Sequence, residues 1–136
     1  MAYTTIDDPS QYFQCKLYTG NGSNNNAKTF DGNSDMQPDM VWIKARDATE
    51  NHHIFDAVRG ANKRLLPTDT SVEFDDASNL QSFDSDGFTL GTADGINKNT
   101  ANFVCWAWKA NGTGSSNTDG TINTAATSAN TTAGFS

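Results

Sequence analysis

The sequence predicts an all-β fold, a β-sandwich of jelly-roll type, on the strength of composition, strand spacing and length. It holds 15 Asn, 17 Thr and 11 Gly but only 2 Glu, with Asp supplying 14 of the 16 acidic residues. These abundant residues favour turns and extended strands over helices. Short apolar runs alternate with turn signals at intervals of roughly ten residues, as in sandwiches and barrels. A length of 136 residues allows one domain with its own core.

The clearest strands are the runs 12–18, 40–46 and 102–109. In the first run Phe13, Cys15 and Leu17 alternate with polar residues, so we expect them to face the core. The run 40–46 predicts a central strand with 52–58 as its partner, and 80–91 predicts a hairpin that turns at 84–87. In the last run both faces are apolar, which is typical of a strand between two layers or beneath a loop. The expected core comprises Phe13, Leu17, Val41, Ile43, Phe103 and Trp106.

Charge and sequence patterns restrict the partners. A net charge of −7 and a pI near 4.5 argue against nucleic acid. No apolar run is long enough to cross a membrane, and the first residues lack the pattern of a secretory signal, so we expect synthesis in a cytoplasm and no membrane insertion. Cys15 and Cys105 match no zinc pattern and are expected to be buried free thiols on neighbouring strands.

Two aspartate-rich loops are candidate calcium sites. Asp31 and Asp35 lie in the first, and Asp84 and Asp86 in the second, with carboxylates at alternating positions as in flexible calcium loops. Neither loop completes a twelve-residue calcium motif. Turns closed by Asx side chains explain the same residues without an ion. Calcium is thus the one possible cofactor that the residues suggest.

Three tryptophans raise the possibility of carbohydrate binding. Trp42, Trp106 and Trp108 could stack on sugar rings, but their place in the strongest strand signals favours the core instead. His52 and His53 would point to opposite faces of a strand, which disfavours a shared metal ion. Glu50, His52 and Asp56 could share a face, although a structural histidine is the simpler interpretation. With no nucleophile motif and almost no Glu, no catalytic residue is predicted and the chain is not expected to be an enzyme.

Residues 111–136 differ from residues 1–110 and form a predicted arm. They are rich in Asn, Thr, Ser, Ala and Gly, with Ile122 and Phe135 as the two large apolar side chains. Such a segment buries too little surface to order itself. Ile122 and Phe135 are therefore predicted interface residues that could anchor the arm on a neighbouring subunit.

The order of the motifs resembles a known family. The segments 13–22, 38–47, 55–60 and 82–91 and the ending Trp106-Ala107-Trp108-Lys109-Ala110 resemble a domain repeated in tail, fibre and other virion-associated proteins of marine bacteriophages, including those of cyanobacteria. The resemblance covers about residues 3–111 and implies a concanavalin-like sandwich. In longer members a segment similar to 131–136 leads into a second module, so the arm has a second interpretation as a linker.

The resemblance implies a virion structural protein, as a tail, fibre or surface decoration component. Such a protein would be made in the host cytoplasm and located in the virion. Its expected partners are further copies of itself and other virion proteins, with host surface glycans as an additional possibility. The competing hypothesis is a lectin-like carbohydrate-binding module.

Overall fold

The computed structural model of the protein describes residues 6–118, 121 and 124–136. Its helical segments are a single 3-10 turn, Pro9–Gln11, and the short helix α1, Asp94–Asn97. In this part of the chain the strands are β1 (Phe13–Thr19), β2 (Asn26–Lys28), β3 (Met40–Ala45), β4 (His53–Asp56), β5 (Lys63–Arg64), β6 (Phe74–Asp75), β7 (Leu80–Asp84), β8 (Gly87–Leu90), β9 (Asn102–Trp108), β10 (Ser115–Asn117) and β11 (Thr124–Thr127).

Two antiparallel sheets form the body of the sandwich, which confirms the predicted all-β class. A four-stranded sheet has the order β1-β9-β3-β4, and a three-stranded sheet has the order β2-β8-β7. The ring of Tyr18 on β1 meets the ring of Phe88 on β8 edge-on at 6.1 Å, so the core lies between these sheets. As predicted, β3 is an inner strand with β4 as its partner, and β7 and β8 form a hairpin.

The inner face of β1 is the opposite of the one predicted. Phe13 and Leu17 are 41% and 57% exposed, whereas Gln14 and Tyr18 are buried. Polar side chains can lie on the inner face because their polar atoms form hydrogen bonds there. The Tyr18 hydroxyl donates to the Ile96 carbonyl at 2.7 Å. The Tyr18 ring then stacks on Phe103 at 5.2 Å. Alternation identified the strand correctly but chose the wrong face for the core.

Gln14 shows how a polar side chain is accommodated on the inner face. Its amide nitrogen donates to the carbonyls of Ser10 and Ser34, both at 3.0 Å. Its amide oxygen accepts the N–H of Gly32 at 2.9 Å. The side chain thereby ties the start of β1 to the loop 31–34, a role that an apolar residue could not fill.

The other expected core residues divide between the two faces. Val41, Ile43 and Phe103 are fully buried, as predicted. Trp106 is only half-buried and lies on the outer side of the four-stranded sheet, so its assignment to the core was wrong. Additional buried residues that complete the core include Met36, Phe55, Leu80, Phe88, Leu90 and Ile96.

Helix α1 positions a buried asparagine that organises the loop 20–26. The Asn97 amide nitrogen donates to the carbonyls of Gly91 and Ser23 at 2.7 and 2.9 Å. Its oxygen accepts from the Asn26 side chain and the Asn21 backbone at 2.7 and 3.0 Å. All four hydrogen-bonding positions of the amide are thus used. The Asn-rich loop is therefore fixed to the body at its base.

The arm folds back onto the same chain. Strands β10 and β11 pair antiparallel, and a turn from Asn130 to Phe135 follows. The Asn130 N–H closes this turn by donating to the Phe135 carbonyl at 2.7 Å. The Phe135 ring stacks on Trp108 at 5.9 Å. Ile122, the other predicted anchor, lies outside the described residues. No helix in the described residues is long and apolar enough to cross a membrane.

The orientation of β1 can be tested by comparing two truncations. Phe103→Ala should lower the free energy of unfolding by about 3–5 kcal/mol, because a fully buried ring leaves a cavity. Leu17→Ala should lower it by less than about 1 kcal/mol, because that side chain is largely exposed. Urea unfolding followed by circular dichroism measures both. Equal losses would mean that the face bearing Leu17 is buried after all.

Candidate functional site: an aromatic outer face

The outward side of the four-stranded sheet is largely apolar across three adjoining strands. Cross-strand pairing aligns Phe13 with Trp108 and Met40, and Cys15 with Trp106 and Trp42. A third row aligns Leu17 with Val104 and Lys44, the one charged residue among these three rows. Directly paired residues point to the same side of a sheet. We call the eight side chains other than Lys44 the outer face; they are Phe13, Cys15, Leu17, Met40, Trp42, Val104, Trp106 and Trp108. All are half-buried or exposed.

Trp42 is held in place by a histidine. Its indole N–H donates to Nδ1 of His52 at 2.9 Å, and the two rings meet edge-on at 5.6 Å. This bond requires an unprotonated Nδ1, so the neutral imidazole carries its proton on Nε2. Trp106 meets Trp42 edge-on at 6.3 Å with 75° between the ring planes. The indole of Trp42 is thus oriented from two sides.

These rings line an open pocket of about 320 Å³, bounded by Trp42, His52, Trp106 and Trp108. Because the planes of Trp42 and Trp106 are nearly perpendicular, they do not form one flat platform. They offer a ring face next to a ring edge, an arrangement that receives a compact apolar group or one face of a sugar ring. The shape and aromatic lining of the pocket therefore suit a small apolar group or a sugar ring.

A second groove of about 490 Å³ lies where the arm meets the outer face. The Trp108 ring packs against Phe13 at 5.2 Å and against Phe135 at 5.9 Å. The remaining lining residues are Ile6, Pro9, Tyr12, Ala133 and Gly134. Phe135, predicted to anchor on another subunit, is therefore engaged within its own chain.

The three tryptophans were predicted to favour the core, and the structure contradicts that interpretation. All three are half-buried on the outer face. A signal in the sequence pointed there: β9 is apolar on both faces, and only one of its faces can line the core. Phe103, Cys105 and Ala107 fill the inner side, which leaves the tryptophans of β9 outside.

The two histidines point to opposite faces, as predicted: His52 contacts Trp42 on the outward side, and His53 faces the core. His53 is buried in the core and neither ring nitrogen has a hydrogen-bond partner in the described residues. Burial, helped by the nearby charge of Arg64, lowers its pKa to about 4. Gly95 packs against the imidazole so closely that a Cβ there would clash with it. Asp56 pairs with Arg59 at 2.7 Å rather than with His52.

The four candidate calcium ligands have protein partners or lie apart. Asp31 pairs with Lys16 at 3.1 Å, and Asp84 accepts from the hydroxyls of Ser82 and Thr89. Asp86 accepts the Met36 N–H at 3.2 Å, and Asp35 is exposed. Across residues 6–118, 121 and 124–136, no three His, Cys, Asp or Glu side chains form a group that could hold a metal ion. The geometry thus adds no support to the calcium hypothesis.

The cysteines lie on neighbouring strands, as predicted, and both are free. Cys105 is buried, and burial raises the pKa of its thiol well above the usual range. Cys15 is exposed on the outer face, so the prediction that both thiols are buried was wrong for this residue. The reason is the same reversal of β1 that exposes Phe13 and Leu17.

Comparison with known proteins identifies a family. A family model described as a domain of unknown function, DUF7483, matches residues 8–136. The chain belongs to the DUF7483 family. No curated protein and no solved structure matches it. The family match includes the arm, so the DUF7483 model covers the turn at Phe135 as well as the outer face.

His53 should make the stability of the protein depend on pH. Its pKa is about 4 in the folded state against 6.5 when unfolded, so below pH 6.5 the unfolded chain binds a proton that the folded chain excludes. Stability is full above pH 6.5 and should fall by about 2–3 kcal/mol as the pH drops to ~4.5. Urea unfolding at both pH values measures the difference.

His53→Leu provides the control, since leucine has a similar volume and does not titrate. Its unfolding free energy should change much less between the same two pH values. The carboxyl groups with lowered pKa, such as Asp47, lose their stabilising contribution at lower pH than this window. An undiminished pH dependence in His53→Leu would assign the effect to another group.

Proposed function

We propose that this DUF7483 chain is a structural protein of a bacteriophage virion that uses its outer face to bind other proteins. The observation that carries the binding role is the aromatic outer face, on which Phe13 is exposed and Trp42, Trp106 and Trp108 are half-buried. Monomeric domains rarely expose contiguous apolar surface of this kind unless it contacts a partner. The phage context is supported by the resemblance in motif order.

The chemistry of the outer face favours a protein partner. The pairs that cross β1, β9 and β3 place apolar side chains next to one another over two full rows. Because these two rows carry no charged side chain, a protein with a net charge of −7 can associate through them without bringing carboxylates together. Tryptophan, phenylalanine and methionine are also the residues enriched at the centres of protein interfaces.

The arm illustrates the kind of group that the outer face accepts. Phe135 enters from a Gly-containing turn and lays its ring on Trp108 with only 18° between the planes. An aromatic side chain presented by a turn or strand of another virion protein could bind the adjacent pocket of Trp42 and Trp106 in the same way. That pocket is the part of the face that Phe135 does not line.

The experiment combines particle composition with a substitution in the pocket. Mass spectrometry of purified phage particles should detect this chain, and a phage carrying the Trp42→Ala/Trp106→Ala variant should incorporate it much less. Val72→Ala is the matched control, because Val72 is 81% exposed and distant in sequence from the outer face. Absence of the wild-type chain from particles would overturn the virion assignment. Normal incorporation of the double variant, with a native unfolding midpoint, would overturn the role of the face.

Carbohydrate binding is the second candidate, favoured by the orientation of Trp42 and His52. Since Nδ1 of His52 accepts from the indole, Nε2–H is left to donate, and it has no hydrogen-bond partner in the described residues. A ring face with an adjacent donor can bind a pyranose. A glycan array should then show binding that His52→Phe and Trp42→Ala abolish. Binding to no glycan, or binding unchanged in both variants, excludes this candidate.

A further inference from the structure

The four-stranded sheet has one covered edge and one open edge. At β4 the backbone of Ile54 exchanges two hydrogen bonds with Leu65, at 2.9 and 3.0 Å, so that edge is occupied. At the opposite edge β1 pairs with β9 along all seven of its residues, Phe13–Thr19. On its other side β1 has no neighbouring strand in the described part of the chain.

The hydrogen bonds at the two ends of β1 show which residues face this open edge. The Tyr12 carbonyl accepts from Lys109, and the Gly20 N–H donates to Ala101, both at 2.9 Å. Because backbone direction alternates in an antiparallel pair, the even-numbered residues bond to β9. The N–H and C=O groups of Phe13, Cys15 and Leu17 therefore point outward, without a backbone partner in the described residues.

The same three residues also carry exposed side chains on the outer face. Phe13 and Leu17 are 41% and 57% exposed, and Cys15 is exposed. A long edge strand with unpaired backbone groups and exposed apolar side chains can add another strand. We propose that β1 pairs antiparallel with β1 of a second copy of this chain, joining two four-stranded sheets into one. This proposal is independent of the partner assigned to the aromatic pocket.

The register of this pairing follows from the residues. Outward backbone groups can exchange hydrogen bonds only when odd-numbered residues oppose one another. A two-fold axis at Cys15 places Phe13 of each copy opposite Leu17 of the other copy. It likewise places Gln14 of each copy opposite Lys16 of the other. An axis at Lys16 would instead oppose two lysines that are each already paired with Asp31, and would place Phe13 opposite the polar Thr19. The axis at Cys15 pairs the apolar side chains and keeps the lysines apart.

This register makes Cys15 a reporter of the interface. Opposed residues of a hydrogen-bonded antiparallel pair have Cα atoms about 5.5 Å apart, within the usual disulfide range of ~4.4–6.8 Å. Mild oxidation with copper-phenanthroline should therefore convert the wild-type protein to a covalent dimer on a non-reducing gel. Cys15→Ser should abolish this product. Cys105→Ser should leave it unchanged, because Cys105 is buried on the inner face.

Sedimentation velocity tests the non-covalent dimer. The reduced wild-type protein should show a concentration-dependent monomer–dimer equilibrium. Leu17→Lys should weaken it by about tenfold or more, because the axis repeats the substitution on both sides of the interface. The position is exposed, so the fold should persist, which circular dichroism checks. Val72→Lys, with the same change of charge at an exposed site on a loop, should dimerise like wild type.

Leu17→Pro tests the backbone bonds directly. Its N–H points away from β9, so proline removes a bond needed for dimerisation and none needed inside the sheet. A folded, monomeric Leu17→Pro protein supports pairing at the edge. A monomeric wild-type protein at every concentration, a dimer that survives Leu17→Lys, or crosslinking that Leu17→Lys leaves unchanged would each overturn the proposal.

Discussion

The structure depends on one constraint: β9 is apolar on both faces, and both faces need packing partners. Its inner residues Phe103, Cys105 and Ala107 are fully buried between the two sheets. Its outer residues Trp106 and Trp108 lie outside the space between the sheets. Side chains of the flanking strands β1 and β3 and Phe135 of the arm cover them in part. Burial on the inner side supplies the stability of the sandwich, while the outer side supplies surface for contacts.

The pairing of β9 explains why β1 and β3 have the faces they do. Direct cross-strand neighbours share a side, so Trp106 places Cys15 and Trp42 on the outer face, and Phe103 brings Tyr18 inward. Once Tyr18 stacks on Phe103, a shift by one residue would move every side chain of β1 to the wrong side. The inward position of Gln14 follows from this register and is sustained by its bonds to the loop 31–34.

The sequence allowed the fold class, the pairing of β3 with β4 and the β7–β8 hairpin to be predicted, because turn residues and alternation are local signals. It did not allow the inner face of β1 to be predicted, because local hydrophobicity favoured Phe13 and Leu17. The buried polar atoms of Gln14 and Tyr18 form hydrogen bonds with Ser34 and Ile96, which are distant in the chain. The sequence raised Trp42, Trp106 and Trp108 as a possible binding surface but favoured the core for them, because their exposure depends on what the second sheet leaves uncovered.

Two surfaces of the four-stranded sheet are available for contacts, and they lie in perpendicular directions. The backbone groups of β1 point within the plane of the sheet, whereas the rings of Trp42 and Trp106 point along its normal. A strand added at the edge therefore does not cover the pocket, and a group in the pocket does not block the edge. Pairing of β1 with β1 of a second copy, with the axis at Cys15, would place two outer faces side by side on one continuous sheet. Two pockets held at a fixed spacing bind a repetitive surface more strongly than either pocket alone, because the second contact forms at high effective concentration.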